Sequence, residues 1–156
     1  MSSIFVRPAT LEEATLVARN NAAMALETER LELDTETALL GVQAVIADVR
    51  KGFYLLAEQH GEVIGQMLVT YEWSDWRNQT FWWLQSVYVV PGARRSGVFR
   101  RLFDDVVARA REAADVCGLR LYVERDNHRA HATYEALGML RSHYDMFELP
   151  FESNSP

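Results

Sequence analysis

The chain has 156 residues, 49% of them hydrophobic and 24% charged, with a formal net charge of -6. That length gives one domain with room for a core, and no apolar run approaches the roughly 18 residues that a membrane helix needs. The acidic balance argues against nucleic acid, which asks for a basic face, and favours a cationic partner.

The first residues, MSSIFVRPAT, lack a basic-then-apolar leader, so no secretory signal is expected and a cytoplasmic location is. The single Cys117 excludes an internal disulfide and suits a reducing compartment; it reads as a half-buried residue at a helix end, not a nucleophile. Ile4, Phe5 and Val6 form a short strand closed by Arg7-Pro8. Thr10 caps a helix with Glu13 as its capping-box partner, and Leu11, Ala14, Val17, Ala18 and Ala22 continue it. A second helix starts near Thr35. Between the two lie many carboxylates, among them Glu27, Glu29, Glu32 and Asp34. They are either a solvated helical face or an acidic lip that gathers an amine.

Residues 53–59 and 62–71 are apolar runs joined by His60-Gly61, which is a hairpin signal. Gly65 inside the second run predicts a bulge or a close backbone approach. A further strand over residues 81–90 follows a turn at Ser74–Gln79, and all four Trp (73, 76, 82 and 83) fall in this hairpin. Cross-strand packing accounts for most of them. An aromatic wall beside a carboxylate also holds an ammonium group.

The stretch VYVVPGARRSGVFRRLFDDV, residues 87–106, then gives a strand, a tight basic turn and a helix. The β-branched run at 87–90 ends at Pro91-Gly92, and Val98, Phe99, Leu102, Phe103, Val106 and Val107 have helical spacing. The first turn of a helix offers unpaired N–H groups and a positive dipole end, Gly97 allows close approach, and Arg94, Arg95, Arg100 and Arg101 add charge. Either this is an ordinary crossover with a solvated arginine face, or it holds a pyrophosphate. Neither GxGxxG nor a Walker loop is present.

Beyond that helix, residues 119–124 read as a strand, 128–137 as a helix ended by Gly138, and 139–140 and 144–149 as two last strands. His128 and His131 share a helix face without the carboxylate or thiol that would complete a metal set, so no metal is expected. Residues 1–150 are read as a single domain and 151–156 as a polar tail.

Two of these motifs carry a resemblance. V-x-V-x-P followed by Arg94-x-x-Gly97 resembles the acetyl-CoA loop of the GNAT N-acetyltransferases, usually Q/R-x-x-G-x-G/A, with Phe99 standing where a Gly or Ala is expected. Asn127-x-x-Ala130-x-x-x-Tyr134-x-x-x-Gly138-Met139 is similar to the other half of that signature, with Met139 replacing an aromatic. The resemblance implies an α+β fold, a mixed, mainly antiparallel sheet with helices on both faces, and acetyl-CoA as co-substrate. It also implies that backbone groups of Val87, Tyr88 and Val89 pair with the pantetheine arm. Backbone N–H groups of Arg94, Arg95, Ser96, Gly97, Val98, Phe99 and Arg100 would hold the pyrophosphate, and Asn127 would hydrogen-bond the pantetheine region. Tyr134 would protonate the departing thiolate, a step that suits a phenol with an ordinary pKa of about 10.

The hairpin around Tyr71-Glu72-Trp73 resembles the spermidine/spermine N-acetyltransferase branch, but Gln85-Ser86 stands where that branch has an adjacent Glu-Asp pair. The base therefore does not carry over. Glu72 is the first substitute, with a pKa raised by partial burial among Tyr71, Trp73 and Trp83; Glu29, Glu27 and Glu124 stand behind it. Glu27, Glu29, Trp73 and Gln85 are the expected acceptor contacts. The predicted function is direct acetyl transfer from acetyl-CoA to a primary amine of a small molecule, without an acyl-enzyme, by a cytoplasmic protein that is monomeric or a homodimer. A peptide or protein amine is the alternative acceptor, and a non-catalytic acyl-CoA sensor that lost its base at Gln85 is the alternative from another class.

Overall fold

A computed structural model describes residues 3–151. Its contacts divide the chain into two compact units, one ending at Arg120 and one beginning at Leu121. Among the described residues, no helix is long and apolar enough to cross a membrane.

The first unit holds a five-stranded sheet in the order β1-β2-β3-β4-β5. The strands are β1 (Phe5–Pro8), β2 (Phe53–Gln59), β3 (Glu62–Ser74), β4 (Gln79–Val89) and β5 (Val116–Arg120). The first four run antiparallel in succession, as short hairpin connections require, and β5 lies parallel to β4 after a helical crossover. The helices are α1 (Ala14–Glu29), α2 (Thr35–Ala47) and α3 (Val98–Glu112). This is the mixed, mainly antiparallel α+β arrangement expected.

Side chains alternate across a strand, so each face takes its own helices. Tyr54, Leu56 and Leu68 turn to one face and form a core with Ala14, Val17 and Ala18 of α1 and Val42 of α2. Gly65, Met67 and Val69 turn to the other. A Cβ on Gly65 would stand 2.7 Å from Val98 Cγ1 and 3.5 Å from Leu102 Cδ1, so this glycine lets α3 lie close on the sheet. The predicted bulge is there too, since Ala57 pairs with Gly65 but Glu58 with Val63. In α3, Val98, Leu102, Phe103, Val106 and Ala110 are buried at helical spacing, as the apolar periodicity predicts.

Local signals set the helix starts. The Thr10 N–H donates to the Glu13 carboxylate at 2.8 Å, as the capping box predicts, though the turn it opens, Leu11–Glu13, is 3₁₀ before α1 begins. Glu13 also accepts from Arg7, whose Nε reaches Glu58 at 2.8 Å, so β1, β2 and the start of α1 are tied at one ion cluster. Asp34 caps α2 by accepting from the Thr37 N–H at 2.9 Å.

The second unit contains α4 (His128–Ala136). Asn127 caps it by accepting from the Ala130 N–H at 3.1 Å. Gly138 at φ +91 closes it, with the Met139 N–H donating to the Tyr134 carbonyl at 3.1 Å and the Gly138 N–H to that of Glu135 at 3.0 Å. Three sequence expectations are corrected here. The strand predicted over 119–124 runs instead over Val116–Arg120, and the two strands predicted at 139–140 and 144–149 are absent. Their apolar alternation is real, but a strand needs a ladder partner, and among the described residues of this unit no strand supplies one.

Candidate active site

The site begins where β4 departs from regular pairing. Gln66 pairs with Tyr88, yet Leu68 pairs with Gln85, so β4 carries one residue more than β3 in this interval. Ser86 absorbs it at φ +48, a conformation that L residues seldom adopt. The ladder between β4 and β5 reaches only from Thr80 to Trp83, where Arg120 is the last partner. From Leu84 onward β4 therefore runs past the end of β5.

Direction follows from register. The Val90 N–H donates to the Ile64 carbonyl of β3 at 3.0 Å. Backbone groups alternate, so Tyr88 also points to β3, and Val87 and Val89 point away from it, along the β5 side. Of the three backbone positions expected to pair with pantetheine, Val87 and Val89 present groups there, and Tyr88 does not. The Val89 carbonyl is taken by Arg94 Nε at 2.9 Å.

The loop that follows is a short 3₁₀ turn, Pro91–Ala93, and then two residues with positive φ, Arg95 at +65 and Gly97 at +84. Gly97 is the residue before α3, which has no side-chain cap, and nothing lies within 4 Å of where its Cβ would stand. The start of a 15-residue helix therefore opens onto free space with its backbone donors uncapped by any side chain. Not every N–H in 94–100 takes part: that of Arg94 donates to the Pro91 carbonyl at 3.3 Å.

The arginines divide. Arg94 reaches Glu27 at the end of α1 (2.7 Å) and lies over the Tyr88 ring, while the Tyr88 hydroxyl stands 3.5 Å from Glu27 Oε1. Burial, with the Glu27 charge adding to it, raises the Tyr88 pKa. Arg100 pairs with Asp104 at 3.1 Å. Among the described residues Arg95 and Arg101 have no ion-pair partner, so they are the cations left to meet an anion at the helix start.

Glu72 corrects an expectation. Its Oε1 accepts from Trp83 Nε1 and from Arg120 Nη1, each at 2.9 Å. The Trp83 hydrogen bond, and after it Arg120, lower its pKa where partial burial was expected to raise it. The aromatic surround is also different. Tyr71 and Trp73 share the opposite face of β3, Trp73 is 59% exposed, and of the three expected rings Trp83 alone stands on the side of Glu72. Tyr71 packs with Phe53 and Trp82 on that other face. Gln85 donates from Nε2 to Thr70 Oγ1 at 2.6 Å. Arg120 lies 3.6 Å over the Phe81 ring, a partner that sequence reasoning missed because it comes from a different strand. Glu29 ends α1 and is exposed.

In the second unit, Tyr134 on α4 is half-buried, and burial raises its pKa, which keeps the phenol protonated. The Asn127 Oδ1 is engaged in capping, so its amide NH2 is the group with donors to offer. His131 makes a 3.2 Å contact from Nε2 to the Glu124 carbonyl and lies 3.1 Å from Arg141, a polar surface role.

The fold matches known proteins closely. The crystal structure of a possible acetyltransferase from Clostridium difficile 630 is 41% identical, with a TM-score of 0.90 over 95% of this chain and 97% of that one. A probable acetyltransferase of known structure is 22% identical at a TM-score of 0.83, covering 95% of this chain and 98% of that one. A predicted acetyltransferase from Clostridium acetobutylicum, solved with acetyl-CoA, is 14% identical at 0.76, covering 95% and 96%, and shows the shared fold alone. No curated protein matches the sequence. The model of the acetyltransferase (GNAT) family matches residues 17–139, which include the β4 bulge, the basic loop and both sequence motifs, and the chain belongs to that family.

Proposed function

We propose that the protein transfers the acetyl group of acetyl-CoA directly to a primary amine of a small cationic molecule. One observation carries the reading: the outward backbone groups of Val87 and Val89 lead along β4 into an uncapped helix start at Gly97. An extended amide-bearing arm suits the first, as an added strand would. A pyrophosphate suits the second, with Arg95 and Arg101 adding charge.

The residues then divide the work. Acetyl-CoA supplies an activated carbonyl bonded to sulfur. The Val87 N–H polarises that carbonyl as an oxyanion contact. The amine nitrogen bonds to the carbonyl carbon, the carbon–sulfur bond breaks, and Tyr134 gives its proton to the leaving thiolate. Asn127 donates from its amide to the pantetheine region. Glu27 and Glu29 at the end of α1 gather the cationic acceptor, and Gln85 offers it a neutral hydrogen-bond acceptor. Glu72 holds Arg120 and Trp83 in place and does not serve as base; the proton leaves the amine to water. The partner is a small molecule and neither nucleic acid nor a membrane, in a cytoplasmic setting.

A second reading has its own support. Gln85 replaces a carboxylate and Glu72 already carries two donors, so the protein is alternatively an acyl-CoA sensor without turnover. Free-thiol release across an amine panel, run beside acetyl-CoA calorimetry, decides between them. The transferase reading expects turnover on at least one small amine. Tight binding without turnover on any amine, peptide amines included, would overturn it.

A further inference from the structure

Gln66 lies mid-strand in β3 between Gly65 and Met67 and is fully buried, at 0% exposure. An apolar residue would be the ordinary occupant of such a position, because a buried amide must find partners for its polar atoms. Gln66 finds them on α1. Its Oε1 accepts from Asn20 Nδ2 at 2.9 Å, and its Nε2 donates to Asn21 Oδ1 at 2.9 Å and to the Val17 carbonyl at 3.3 Å. Asn21 Nδ2 donates in turn to the Tyr54 hydroxyl of β2 at 3.1 Å.

The helix so gripped is poorly keyed by its apolar residues. The buried positions of α1 are Ala14, Val17, Ala18, Asn20 and Ala25, so the aliphatic ones are three alanines and one valine. Small side chains make shallow ridges, and packing alone sets the rotation and axial register of such a helix weakly. Directional amide bonds set both, and fixing register is the best-attested use of a buried polar group.

This register places Glu27. Asn20 and Glu27 lie two turns apart on one face of α1, about 10 Å along its axis. Gln66 pairs with Tyr88 of β4, so the buried amide and the Tyr88 ring stand side by side on the α1 face of the sheet. The amide takes α1 at Asn20, and Glu27 then comes down at the Tyr88 hydroxyl, with its Oε1 3.5 Å from that group and its Oε2 2.7 Å from Arg94 Nη2. A carboxylate has about four lone-pair sites, so Glu27 keeps room for an ammonium beside these two contacts. Turning α1 by one residue position, about 100°, would carry Glu27 off this spot.

We propose that Gln66, with Asn20 and Asn21, is a positioning residue that fixes the rotation of α1 and so sets Glu27 where the cationic acceptor is gathered. The inference rests on the transferase reading and on the part given there to Glu27, and it adds the residues that decide where that carboxylate stands. None of the three touches the acceptor. Their effect passes along α1.

The test is a double-mutant cycle read in the KM of the acceptor. Free-thiol release is measured at saturating acetyl-CoA over short alkyl monoamines, diamines and polyamines, and the amine with the highest kcat/KM serves throughout. Glu27→Gln should raise its KM about tenfold, as loss of one charged contact does. Gln66→Met keeps the side-chain length and removes the amide; it should raise the same KM by about threefold or more, with kcat within about threefold of wild type. In the Glu27→Gln background Gln66→Met should raise the KM no further, because the group it positions is already gone. A merely structural Gln66 would lower Tm and leave the KM alone, or raise it by the same factor in both backgrounds. Should Gln66→Met fail to fold, Asn20→Ala/Gln66→Met, which leaves fewer amides unpaired, must give the same pattern. A wild type that releases no thiol with any amine overturns the transferase reading and this inference with it. Turnover in the wild type, with an amine KM that either single variant leaves unchanged or with effects that multiply in the pair, overturns the positioning role alone.

Discussion

Gly97 allows the sharpest perturbation. Its φ of +84 means that any other residue there is strained, at about 1–2 kcal/mol for an L side chain in the left-handed region. For a domain of this size that corresponds to a Tm lower by roughly 3–8 °C. Gly97→Ala and Gly97→Trp share this backbone penalty. What separates them is the space over the helix start, where nothing lies within 4 Å of the Cβ position. A methyl group there still leaves room, and an indole fills it. Charge-assisted hydrogen bonds are each worth about 1.5–3 kcal/mol, so displacing a pyrophosphate from two N–H donors predicts an affinity loss of at least about 10²-fold. Calorimetry with acetyl-CoA on both variants, each first shown folded by its melting curve, makes the comparison. Alanine should bind within several-fold of wild type and tryptophan should not bind measurably. A folded tryptophan variant with wild-type affinity would remove the helix start from the cofactor site.

Tyr134→Phe should lower turnover by about 10²-fold with acetyl-CoA affinity unchanged, because only the hydroxyl is lost; full activity would mean solvent protonates the thiolate. Burial raises the Tyr134 pKa, so the wild-type rate should show no loss of this acid until the pH is above the ordinary phenol range. Glu72→Gln should leave the acidic limb of kcat/KM in place, since its carboxylate is held ionised by Trp83 and Arg120; a flattened limb would restore Glu72 as the base. Arg7 holds the Glu13 pKa down at about 2, and a group so lowered stabilises the fold above its unfolded value and loses that contribution as the pH falls through the folded one. The Tm difference between wild type and Arg7→Met should therefore be largest near neutral pH and shrink between about pH 4.5 and 2; a constant difference would assign it to packing alone.

Much of this was readable in the chain because the signals were local. Thr10 with Glu13, His60-Gly61, Gly97 and Gly138 each mark a boundary through backbone chemistry within a few residues, and each marks one in the structure. The amphipathic spacing of α3 and the β-branched run before it placed the loop for the same reason. Signals that depend on a distant partner failed. Glu72 was judged by its neighbours in sequence, Tyr71 and Trp73, which alternation sends to the far face; its real partners come from β4 and β5. Residues 144–149 alternate like a strand, but no sequence window shows whether a ladder partner exists.

Gln66 shows where the two kinds of evidence meet. A glutamine between Gly65 and Met67 breaks an apolar run, and a strand this buried gives polar residues up unless they are held. That irregularity was visible in the sequence, one residue from the glycine already marked as a bulge. Its meaning was not visible, because the amides that satisfy it lie 45 and 46 residues away on α1. The same holds for Gln85, where the loss of a carboxylate looked like lost catalysis. In the structure Gln85 binds Thr70 and sits directly before the Ser86 bulge. With no carboxylate free on this part of β4, catalytic power must come from how well the strand backbone is placed.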